Sequence, residues 1–142
     1  HLRQRQTEEL VPRGAVSAKY SSGGSVDVEY YVQACQVAVG HLDSSVRVTN
    51  TLDAIARLAE GGHKSREWAE EMAETYGFLR RLIDALRVVR GHAKDLTILS
   101  TDSREYAYLA RRLQYESVTQ LQDAIARWMG VARGLWEGGG PG

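Results

Sequence analysis

Proline is nearly missing from this chain: there are two, Pro12 and Pro141, and both lie near the ends. Everything between them is therefore free of the residue that most strongly interrupts helices. Cysteine occurs once, at Cys35, which excludes an intrachain disulfide and a thiolate zinc cluster and fits a reducing, cytoplasmic setting. Long apolar runs are also lacking. No stretch approaches the roughly 18 consecutive apolar residues of a membrane-spanning helix, so no membrane span is expected, and no basic-then-apolar secretion signal stands at the start. Net charge is lacking too, with 18 basic residues against 18 acidic ones. A dedicated nucleic-acid binder usually carries a basic surplus, because its affinity comes largely from neutralising phosphates.

Glycine and serine concentrate at the two ends. The run Ser21-Ser22-Gly23-Gly24 and the tail from Gly138 read as flexible segments. The chain thus divides into an N-terminal arm over residues 1–24, a bundle domain over 25–136 and a Gly-rich tail over 137–142.

Between the arms, apolar residues recur at alternating steps of three and four, the mark of amphipathic helices. A first stripe runs from Val28, Tyr31 and Cys35 to Leu52, Ala56 and Ala59, ending at Gly61-Gly62. A second begins after Ser65, a capping residue, and runs from Trp68 and Met72 through Leu79 and Leu86 to Leu96. A third follows Asp102, with Glu105 three residues on as in a capping box, and runs from Tyr106 and Leu109 to Leu135. Strand signals are almost absent. The predicted fold is all-α: an antiparallel up-down-up bundle of three helices, each roughly 30 residues and about 45 Å long. Asp43 could cap a new helix after Gly40, which would split the first stripe and give four. Continuity is favoured, because the stripe keeps its phase across residues 40–45. Ser45, Thr49, Thr75, Ser117 and Gln120 would then form a polar layer near half-height.

One phrase, Asp-Ala-Ile-Ala-Arg, occurs twice, at Asp53–Arg57 and Asp123–Arg127, with a looser form at Asp84–Arg87. It places Asp and Arg four apart on one helix surface and an aliphatic residue toward a core.

No constellation of catalytic side chains emerges. Phosphate-cradling glycine loops are missing, and His41, His63 and His92 are scattered. Glu70, Glu71 and Glu74 lack the Glu-x-x-His partners of a carboxylate-bundle metal site. Cys35 has no histidine at a neighbouring helical position and reads as a buried, inert thiol. No catalytic residue, cofactor or metal is expected, and the chain reads as a non-enzyme.

Two surfaces stand out instead. Tyr108, Tyr115 and Trp136 fall off the main stripe and suit a protein interface. Arg80, Arg87 and Lys94, seven apart on one helix face, could contact an anion. The leading expectation is a structural or scaffolding subunit working through protein–protein contacts, self or heterologous, in a larger assembly, a homo-oligomer being one form of it. The second is a nucleic-acid-associated accessory protein using the arginine stripe.

Overall fold

A computed structural model describes residue 11, residues 15–91 and residues 96–137. These residues form an all-α bundle. Its helices are α1 (Ser25–Val39), α2 (Thr51–Glu60), α3 (Arg66–Arg90), α4 (Arg104–Arg112) and α5 (Val118–Gly134), with a 3-10 turn at Ser44–Val46. Five helices thus replace the three expected, because the first and third apolar stripes are each broken.

The first stripe breaks where the backbone finds better partners than the helix offers. Gly40 ends α1, and the Asp43 carboxylate then accepts a bond from the Ser45 amide to start the 3-10 turn. Val46, Val48 and Thr49, all β-branched, follow, and such residues are poor helix formers. The Gln36 side-chain amide donates to the carbonyls of Val46 and Val48 at 2.7 and 2.8 Å, holding the returning chain against α1. Asn50 caps α2 by accepting from Asp53 N. Continuity of phase was a misleading guide, since periodicity carries no information about capping.

The third stripe breaks at Gln114, whose φ is +66°. Ser117 then accepts from Gln120 N at 3.1 Å, while Gln120 Oε1 accepts from Glu116 N at 3.0 Å, a reciprocal cap. The third stripe's own start is shifted by one: Ser103, not Asp102, caps α4 by accepting from Tyr106 N. The expected polar layer dissolves with these breaks. Ser45, Thr49, Ser117 and Gln120 are exposed, and only Thr75 is buried, its hydroxyl donating to Glu71 O at 2.7 Å.

The second stripe survives as α3. Ser65 caps it as expected, accepting from Trp68 N. It ends at Gly91, whose left-handed φ of +70° closes the last turn, short of the expected Leu96. Helix α3 touches all four other helices. Its Tyr76 hydroxyl donates to Glu29 near the start of α1, while Lys64, just before α3, lies over Tyr31 further along α1. These contacts make α1 and α3 antiparallel. Phe78 meets Trp128, and Tyr31 meets Trp136, so α5 also runs against α3 and alongside α1. The up-down-up arrangement therefore holds, with broken outer pillars.

The core is built from α3 outward. Leu79, Leu82, Ile83 and Leu86 are fully enclosed and meet Val28, Val32, Ile55, Leu58, Leu109 and Leu121 from the surrounding helices. The repeated phrase contributes as its spacing implies: Ile55 and Ile125 are buried, while Asp53, Arg57, Asp123 and Arg127 are exposed.

Of the N-terminal segment, residues 15–24 pack on this bundle. Ala18 N donates to Leu96 O at 2.9 Å and Ile98 N to Val16 O at 2.7 Å, pairing the segment with the α3–α4 connection. The Ser21 hydroxyl accepts from Ser17 N, and the Asp27 carboxylate accepts from Gly23 N at 2.7 Å. Gly23 has φ +86°, and a Cβ there would lie 2.4 Å from the Met129 carbonyl oxygen of α5. A Cβ on Gly24 would lie 2.6 Å from Lys19 O. The glycine pair is thus a close-packed turn held between α1 and α5.

Candidate functional site

One face of α3 lines two open clefts. Glu74, Phe78, Arg81, Val88 and Val89 share that face by helical spacing. Gly77 lies among them. A Cβ at that position would come within 3.3 Å of Arg81 Nη1, so the guanidinium lies back over the glycine. Helix α4 runs antiparallel alongside. Toward the C-terminal end of α3, Val88 and Val89 meet Glu105, Tyr108 and Arg112 around an open cleft of about 380 Å³. Further back, Ala73, Glu74, Phe78 and Arg81 meet Tyr115 and Trp128 around a second cleft of about 500 Å³.

The sequence-selected residues divide between this seam and other places. Tyr108 and Tyr115 both lie on it, one in each cleft. Tyr108 is 52% exposed, and the Arg111 guanidinium stands 4.8 Å from its ring centroid. Tyr115 is half-buried. Trp136 is elsewhere, set edge-on to Tyr31 at 5.5 Å between centroids, with 42% of its surface exposed. Of the expected anion stripe, Arg80 and Arg87 lie seven apart on α3. Arg80 lies close enough to the Tyr76 hydroxyl to favour its ionised form. Arg87 pairs with Asp84 of its own helix at 3.5 Å. Lys94 and His92 lie outside the described residues.

A second cluster surrounds Cys35, which is buried. The Lys64 ammonium stands 6.0 Å from the Tyr31 ring and 5.6 Å from the Trp68 ring. Burial pushes the Cys35 thiol up, against the opposing pull of Lys64, and burial also raises the Tyr31 phenol. Neither shift activates a nucleophile at neutral pH, since the thiolate is the reactive form.

A third cluster ties the α1–α2 connection to the α2–α3 turn. Asp43 Oδ2 and His63 Nε2 share a 2.9 Å hydrogen bond, and Asp43 Oδ1 accepts from the Ser45 hydroxyl at 2.6 Å. Gly61 makes room for the pair: a Cβ there would lie 2.8 Å from Asp43 Oδ2. The Ser45 hydroxyl, then the His63 ring, hold the Asp43 carboxyl at about 2, below its ordinary 3.8. The stabilisation from ionised Asp43 is therefore complete above the unfolded value and is lost as pH falls from about 4 through 2. We expect Asp43→Asn to show a shallower loss of stability across that window, measured by denaturant unfolding at each pH. An identical acid limb in both proteins would remove Asp43 from the account.

Among the described residues, no three of His, Cys, Asp and Glu converge in a geometry that could hold a metal ion. None of the described helices is long and apolar enough to cross a membrane.

The fold is an all-α helical bundle with two open clefts along its central helix, each lined by aromatic and aliphatic side chains, one arginine and one glutamate. The chain belongs to the GlnD PII-uridylyltransferase family, which it matches over residues 2–135. It is similar to the bifunctional glutamine synthetase adenylyltransferase/adenylyl-removing enzyme of Mycolicibacterium smegmatis, with 39% identity over 110 residues. The protein of that name from Mycobacterium tuberculosis H37Rv is 40% identical over 111 residues, and so is that from Mycobacterium leprae. Each alignment covers 76% of this chain but 11% of the relative, so the chain spans about a tenth of the curated relatives it matches.

This membership overturns the expectation of a structural scaffold outside enzymology, and with it the nucleic-acid accessory reading and the classification as a non-enzyme. The error has a physical origin. A bundle writes the same three-four stripe whatever activity it serves, so function is not legible from the pattern that specifies the fold.

Proposed function

We propose that this chain is the helical-bundle portion of a nucleotidyl-transfer enzyme that adds adenylyl groups to glutamine synthetase, removes them, or does both. The carrying observation is the alignment of three quarters of the chain, at about 40% identity, with enzymes named for that pair of activities. Nucleotidyl transfer is dominated by positioning and by charge stabilisation of the phosphoryl group, commonly through carboxylate-held metal ions. The described residues offer a rigid bundle with external grooves, which suits orientation of a protein substrate or of a neighbouring catalytic domain. In this proposal the metal-holding carboxylates come from other parts of the polypeptide.

The test is a graft. Residues 15–137 of this chain replace the matching segment in the full M. smegmatis enzyme, and adenylyl transfer to and from glutamine synthetase is followed. The expected result is activity within about tenfold of the parent, a difference of roughly 1.4 kcal/mol in barrier. A graft that melts cooperatively yet neither adds nor removes adenylyl groups would count decisively against the proposal.

A further inference from the structure

We infer that residues 16–24 form a strap that couples residues 96–98 to the first turn of α1. The strap, the cap of α1 and the 96–98 pairing seat or release together, while the rest of the bundle stands. The first observation is the cap itself. A helix leaves its first backbone N–H groups without partners inside the helix. Helices α2, α3, α4 and α5 meet this need with their own cap residues, Asn50, Ser65, Ser103 and Ser117, whose side chains accept from the first turn. The cap position of α1 is Gly24, which has no side chain to offer. The first amides of α1 are satisfied from further back in the chain. Ser25 N donates to Ala18 O at 3.0 Å and Val26 N to Lys19 O at 3.1 Å. Ser25, Val26 and Asp27 are buried, so water can replace these bonds only if the strap moves away.

The second observation is that one residue serves both ends of the coupling. Ala18 is fully enclosed. Its N–H donates to Leu96 O at 2.9 Å, and its C=O accepts from Ser25 N. Just ahead of it, Val16 O accepts from Ile98 N at 2.7 Å. A pull on the chain before Ala18, or a displacement of residues 96–98, therefore costs α1 its cap.

The third observation concerns stiffness and apolar burial. Within the strap, Ser21 Oγ accepts from Ser17 N at 2.7 Å, and Ser17 Oγ accepts from Tyr20 N at 3.1 Å. The Asp27 carboxylate reaches back from α1 to Gly23 N at 2.7 Å, as the returning half of a capping box does. These bonds make the turn move as a unit. Yet of residues 15–24 only Ala18 belongs to the apolar core, and alanine has the smallest apolar side chain. Release of the strap thus sacrifices hydrogen bonds but little apolar contact, and the α3-centred core does not depend on it. Segments of this kind open below the free energy of global unfolding.

The test is native-state hydrogen exchange of the full chain, followed amide by amide by NMR at low denaturant. Ala18, Ser25, Val26 and Ile98 should share one protection factor and one denaturant dependence, with less protection than Leu82 and Leu86 of α3. Ser21→Ala removes the acceptor of Ser17 N and leaves a buried donor unsatisfied. It should lower protection at all four amides by the same factor, about tenfold, Ile98 included. Ile83→Val, a mild truncation in the α3 core, should lower the protection of α3 amides by up to about tenfold. It should leave the four unchanged, since the seated and released states share that core. Thermal melts establish that both variants fold. Unchanged protection at Ile98 in Ser21→Ala would reduce the strap to local fraying and overturn the inference. So would unequal opening of Ala18 and Ser25 in the unaltered chain. Protection of the four amides falling in step with α3 in Ile83→Val would also overturn it, because the strap would then yield only with the whole bundle.

Discussion

Gly23→Ala is expected to lower Tm by on the order of 10 °C, corresponding to about 3 kcal/mol in a domain of this size. Two costs combine at this position. The φ of +86° is one that side-chain-bearing residues rarely adopt, and holding a non-glycine there costs about 1–3 kcal/mol. The new Cβ would also stand 2.4 Å from the Met129 carbonyl oxygen, which is backbone and cannot swing aside as a side-chain tip could. Relief would require lifting residues 17–24 from α5. Gly62→Ala separates the two costs. Gly62 has φ +77° but nothing within 4 Å of its Cβ position, so only the backbone strain of about 1 kcal/mol should appear. Differential scanning calorimetry of both variants makes the comparison. A Gly23→Ala melt no lower than that of Gly62→Ala would mean that the glycine turn does not pack against α5.

Leu82→Ala is the second large effect, at about 2–5 kcal/mol. Leu82 is fully enclosed on the helix that touches every other described helix. Its loss removes buried apolar surface and leaves a cavity that four surrounding helices can close only by shifting together, with a penalty of about 24 cal/mol per Å³ left unfilled. Val37→Ala, at an exposed apolar site, should stay within about 0.5 kcal/mol. Chemical denaturation of both variants gives the contrast. A Leu82→Ala cost as small as that of Val37→Ala would mean that α3 is not the centre of the core.

What was legible beforehand follows from the kind of signal each element carries. Helix α3 was readable from its stripe and its Ser65 cap, whereas its stop at Gly91 was not, because the stripe runs on to Leu96. The C-terminal end of α2 was equally plain, since Gly61-Gly62 has no competing use. The break after Gly40 was signalled by Asp43 but outweighed by the continuous phase, and that at 113–117 was hidden, because Ser117 and Gln120 sit in phase with the stripe and also form a cap. Only the backbone turn at Gln114 decides between these roles. The Ser21–Gly24 run was hidden for the opposite reason. Serine and glycine suit flexible linkers and tight turns alike, and the deciding contact with Met129 lies more than a hundred residues away in sequence.

Two of the residues lining the clefts, Tyr108 and Tyr115, stand out in the sequence. Their off-stripe spacing identified them, but not that Val88, Phe78 and Trp128 would join them. That depends on which side of α3 the fourth helix covers, a tertiary choice. Trp136 shared the same sequence logic and ended on Tyr31 instead, so spacing alone did not distinguish a groove lining from a helix-end contact.

The pairing of residues 16–18 with 96–98, together with the seat of Gly23 on α5, fastens the segment ahead of α1 at two separate points. A torque delivered at residue 15 would therefore turn the whole bundle as one piece, because no slack joint intervenes to absorb it.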